Sequence, residues 1–117
     1  MKKFELFIVI YEFLKSYKEK NNTEELFNHF LYDANPYIWK GCMSADPALY
    51  KEFDNFVGKR VISLENSYDI SKEYVCSLKD EYYDLDEMKM AFNSTSKEEW
   101  MKWCSDLLSE PLKKDIQ

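Results

Sequence analysis

Phe4-Glu5-Leu6-Phe7-Ile8-Val9-Ile10-Tyr11-Glu12-Phe13-Leu14 is the stretch that decides the fold class of this chain. Phe4, Phe7, Ile8, Tyr11 and Leu14, with Tyr17 beyond them, recur at spacings of three and four and so line one face of a helix. Leu6, Val9, Ile10 and Phe13 widen that stripe until the middle turns are apolar nearly all round. A helix of that kind is surrounded by its neighbours rather than laid on a surface. Leu6 to Ile10 taken alone also suits a β-strand. The charged continuation from Lys15 to Lys20 carries the pattern far past strand length and predicts helix over 3–20.

Working outward, Asn21-Asn22-Thr23 breaks the pattern. Asn22 is the expected cap of the next helix, with Glu25 at capping-box spacing. Leu26, Phe27, Phe30 and Leu31 supply its buried side, and it stops before Asn35-Pro36. A connector follows, bracketed by Asn35-Pro36 and Asp46-Pro47, because proline fixes its own φ and disfavours helix at the residue before it. Asp46 followed by Pro47 is a strong helix start, and Gly58 with Lys59-Arg60 a matching stop, around the apolar positions Leu49, Tyr50, Phe53, Phe56 and Val57. Val61, Ile62 and Leu64 read either as a short strand near 61–64 or as a helical turn, and Glu65-Asn66-Ser67 as a turn. A fourth helix is then expected from near Asp69 to about Tyr83. Asp84 and Glu87 open a short helix, and Ser96 and Glu99 cap a last one carrying Trp100, Met101, Trp103, Cys104, Leu107 and Leu108. Pro111 marks its end, and 113–117 is expected to be a frayed tail. The prediction is all-α: a compact single domain over 1–117, built as a bundle of five or six helices.

Composition agrees. With 45% hydrophobic and 17% aromatic residues in 117, a packed core is affordable without disulfides or metals. Two glycines and three prolines are too few for the turns of a β-sandwich or barrel. The formal net charge of −6 and the single arginine, Arg60, argue against direct nucleic-acid or anionic-membrane binding, since both need a basic footprint. The N-terminal apolar run is interrupted by Glu5 and Glu12 and is too short to span a bilayer. Cys42, Cys76 and Cys104 are widely spaced with no C-x-x-C, which predicts reduced thiols in a cytoplasmic protein.

Motifs for chemistry are missing. His29 is the sole histidine, so neither a structural metal nor a His-based nucleophile pair can be assembled, and no metal or cofactor is expected. There is no glycine-rich phosphate loop, G-x-S-x-G or H-E-x-x-H, and an enzyme is not expected. The outstanding feature is charge. Residues 60–90 hold eight acids against four basic residues, net −4, whereas residues 1–22 are net +2. The acids culminate in Asp80, Glu81, Asp84, Asp86 and Glu87, interleaved with Tyr82 and Tyr83. Such a run is either a solvated helix junction or a patch that docks a basic protein, with the tyrosines as anchors inside a charged rim. Asp84-x-Asp86 lacks the glycine and the later glutamate of a calcium loop. Tyr37 and Trp39, in the connector, are a second possible anchor, or a cover over the core.

Asn35-Pro36-Tyr37-Ile38-Trp39, leading to Ser44-Ala45-Asp46-Pro47-Ala48-Leu49-Tyr50, with Glu98-Glu99-Trp100 near the end, resembles small bacterial immunity proteins of polymorphic or contact-dependent toxin systems. The resemblance implies a cytoplasmic antidote that binds one cognate toxin tightly and occludes its active site. Those families differ in fold, so it implies a role rather than an architecture. The expected function is therefore a non-enzymatic, protein-binding one directed at a basic toxin domain. The alternative is a phage or mobile-element inhibitor or adaptor that blocks a host enzyme through an acidic surface. Self-association as a homodimer, or a small ligand held by the aromatic core, are further expectations that the residues allow.

Overall fold

The computed structural model describes residues 1–79 and 81–111. Asp80 and the tail expected at 113–117 lie outside the described residues. Among the described residues six helices follow one another: α1 (Lys3–Lys20), α2 (Glu25–Ala34), α3 (Pro47–Val57), α4 (Leu64–Ser77), α5 (Leu85–Asn93) and α6 (Lys97–Leu108). The fold is all-α, and the described residues contain no strand.

The centre is α1, which packs against all five other helices. Leu6 to Tyr11, Phe13 and Leu14 are buried, which explains why its sequence is apolar on nearly every side. Two aromatic clusters form against it. Phe13 meets Phe92 and Trp100 at ring separations of 4.8 and 5.1 Å. Phe7 meets Phe53, which stands edge-on to Tyr74 at 4.8 Å. The buried indole N–H of Trp100 donates to Ser67 Oγ at 2.9 Å, so the largest core side chain leaves no polar group unmet.

Helix ends show where local chemistry wins. Asp46, Asp84 and Ser96 accept from backbone N–H groups of Ala48, Glu87 and Glu99, as their spacing predicts. Gly58 ends α3 with φ +61, a backbone region that side chains disfavour. Three expectations are corrected. Asn22 does not cap α2: Glu24 occupies that position, while Thr23 Oγ1 donates to Asn28 Oδ1 at 2.6 Å. The strand considered near 61–64 does not form, and α4 starts at Leu64 instead of near Asp69. The cause is a reciprocal cap: Ser63 N–H donates to Asn66 Oδ1 at 2.8 Å and Asn66 N–H to Ser63 Oγ at 3.1 Å. Finally, α4 stops at Ser77, well before Tyr83, because Leu78 turns extended and buries its side chain.

The connector between α2 and α3 is closed by its own hydrogen bonds. Asp46 N–H donates to the Asp33 carbonyl at 2.9 Å, joining the two ends of the loop. Buried Ser44 donates to the Asp46 carbonyl and accepts from Tyr50 N–H. Arg60 fastens the far end of α3: its guanidinium reaches the Phe56 carbonyl and Glu73 of α4, and lies 4.9 Å over the Phe56 ring.

Candidate functional site

Residues 78, 79 and 81–84, between α4 and α5, form a ridge that borders two clefts. Leu78 and Tyr83 anchor it in the core, each 9% exposed. Tyr83 stacks edge-on against Phe30 at 5.4 Å and its hydroxyl donates to Asp33 Oδ2 at 3.0 Å. Its phenol is held well above the ordinary range, first by burial and then by the bond to Asp33 and the charges of Asp33, Asp46 and Glu52. Tyr83 is therefore committed to the fold. Tyr82, its sequence neighbour, is 53% exposed at the crest.

The acids of the ridge divide in the same way. Asp84 spends a carboxylate oxygen on the α5 cap, and Glu87 Oε1 accepts from Tyr17 at 2.8 Å. Glu81 and Asp86 are exposed, with no hydrogen bond or ion pair among the described residues. Asp80 lies outside the described residues.

The cleft on the α2–α3 side has a volume of about 380 Å³. His29 and Asp33 from α2, Asp46 from the cap of α3 and Glu52 from its middle, and Lys79 and Tyr82 from the ridge line it. Asp33 and His29 lie one helical turn apart with Nε2 to Oδ2 at 3.5 Å. Three carboxylates against one lysine make the cleft attractive to a cation, and partial burial strengthens that attraction relative to open water. Among the described residues, no three His, Cys, Asp or Glu side chains converge closely enough to hold a metal ion. The hydroxyl of Ser77, also in the cleft, donates to the Tyr74 carbonyl at 2.6 Å and so has its proton engaged away from His29. The opposite cleft, about 360 Å³, is lined by Leu26, Asp84, Leu85, Asp86 and Lys89.

Reading the sequence alone found the ridge and missed its cleft. Asp33, Asp46 and Glu52 are scattered singly through α2 and α3, and only the packing of those helices joins them to the ridge. The one usable signal was the i,i+4 spacing of His29 and Asp33 on a short helix.

Tyr37 and Trp39 separate in the same fashion. Tyr37 packs edge-on against Tyr11 at 5.9 Å and donates to Glu12 Oε1 at 2.7 Å, so it covers the core. Burial and that bond raise its phenol. Trp39 is 56% exposed and its indole N–H donates to the Ala45 carbonyl at 3.2 Å. Among the cysteines, Cys104 is buried, and burial pushes its thiol up to about 12, with a hydrogen bond to Ser67 pulling the other way. No described helix is long and apolar enough to cross a membrane.

No protein-family model, curated protein or solved structure matches the chain, so what it does has to be argued from the ridge and its clefts.

Proposed function

We propose that this protein binds a basic protein partner through the ridge between α4 and α5 and the acidic cleft beside it, and that the partner is a cognate bacterial toxin which it neutralises. The observation that carries this reading is the meeting of Asp33, Asp46 and Glu52 in one cleft next to exposed Tyr82. A lysine or arginine from the partner enters the cleft, and the phenol of Tyr82 lies against the partner's surface. Glu81 and Asp86, with Asp80 in the sequence beside them, supply the field that steers a basic surface toward the ridge. Binding at such a surface blocks the partner by covering it and calls for no chemistry from the antidote.

Capture on immobilised protein from a lysate of the source organism, with mass spectrometry and a direct test of the neighbouring gene's product, examines this. The expected result is one basic protein whose toxicity is relieved by co-expression of the wild type and not of the Glu52→Lys, Glu81→Lys double variant. Capture of an ordinary host enzyme instead, inhibited on binding, would transfer the proposal to the inhibitor alternative. Equal rescue by the folded double variant would remove the cleft from the account.

A further inference from the structure

A third concavity lies where the C-terminal half of α1 faces α6 across the end of α5. Phe13, Ser16, Tyr17 and Lys20 recur at helical spacing along one wall, and Glu99, Lys102, Trp103 and Asp106 along the other. Seven residues of helix rise about 10 Å, so each wall is two turns long. The groove is open to solvent and has a volume of about 590 Å³, within the roughly 300–1,000 Å³ of small-molecule sites. Phe13 and Trp103 meet edge to face at 5.8 Å and give it an aromatic side.

Its charges are unequally committed. Asp106 is held by Lys102 at 2.9 Å. Glu99 accepts from the Ser96 backbone N–H at 3.1 Å, and that bond and the one with the Ser96 side chain hold its carboxyl below the ordinary range. Lys20 lines the same mouth and has no ion pair among the described residues. Ser16 and Thr95 also line the groove. An aromatic corner with one uncommitted cation at its edge is complementary to an aromatic molecule bearing one negative charge. A second copy of this chain, itself net −6, fits that requirement poorly.

We infer that the groove between α1 and α6 is a binding site for a small aromatic carboxylate, its ring system against Phe13, Tyr17 and Trp103 and its carboxylate on Lys20. This inference does not rest on the proposed toxin binding, and the two surfaces are joined by the hydrogen bond from Tyr17 to Glu87.

Amide chemical shifts followed by NMR during titration with 2-naphthoate test it, with 2-naphthamide and 2-naphthylmethylammonium as neutral and cationic counterparts of the same shape. The expected shifts are confined to residues 13–21, 90–95 and 99–106. The naphthoate is expected to bind about fivefold tighter than the amide, the upper range for one solvent-exposed charge pair. The exposed substitution Lys20→Glu should abolish that preference while leaving the amide's affinity unchanged. Shifts outside the groove, no saturation by about 5 mM naphthoate, or equal binding of the three probes would overturn the assignment. A naphthoate preference that survives Lys20→Glu would overturn it too. So would groove shifts that depend on protein concentration without ligand, which would give the surface to a second copy.

Discussion

The Tyr83 hydroxyl donates to Asp33 across fifty residues of sequence, and its ring closes over Phe30, so Tyr83→Phe keeps the packing and removes one bond to a charged acceptor. That change should lower folding stability by about 1–2 kcal/mol in urea denaturation. Tyr82→Ala should leave stability within about 0.5 kcal/mol, because the side chain stands in solvent. Its effect belongs to binding, where loss of the anchor should weaken the partner complex about tenfold or more by calorimetry. The two substitutions thus separate a residue that holds the ridge from one that uses it. A large stability loss from Tyr82→Ala, or none from Tyr83→Phe, would contradict the assignment.

At the scale of the element, the caps make sharper predictions than the helix interiors. Asp84→Ala removes the acceptor for Glu87 N–H and should cost about 1 kcal/mol. Gly58→Ala should cost about the same for another reason. The new Cβ would approach only the Asn55 carbonyl, at 3.6 Å, so the penalty comes from the φ of +61 and not from crowding. Asn22→Ala should be nearly silent, since that side chain caps nothing. Urea midpoints for the three variants check all of this. The same contrast explains what was legible in the sequence. Asp46, Asp84 and Ser96 could be found because a cap bond spans two or three residues and depends on little else. The α4 start was hidden because asparagine fills the place where a capping box usually carries glutamate or glutamine, and Glu65-Asn66-Ser67 has the composition of a turn. The α4 end was hidden because tertiary packing ends it, with Leu78 and Tyr83 drawn into the core. The acidic run was plain to read, but Asp33, Asp46 and Glu52 came to it only through the packing of α2 and α3.

For the whole molecule, the tyrosines set an alkaline limit. Tyr11, Tyr17, Tyr37, Tyr50, Tyr74 and Tyr83 all have phenols raised above their usual value of 10.0, with burial the leading cause in each. Above that value the unfolded chain gives up these protons while the native state keeps them, so unfolding releases protons and stability falls as pH rises. The urea midpoint should hold steady near about pH 8 and decline progressively above about pH 10, with a gentler decline in Tyr83→Phe. A midpoint that stays level through this range would contradict the buried placement of Tyr11, Tyr74 and Tyr83 and the half-buried placement of the other three. The most direct test of the central claim is the association rate with the captured basic partner, for the wild type and for Glu52→Lys, Glu81→Lys, at low and high salt. The account predicts a wild-type rate that drops steeply between about 0.02 and 0.5 M salt, and a double variant about tenfold slower at low salt with little salt dependence. Identical rates and identical salt slopes for the two proteins would place the interface elsewhere on the molecule.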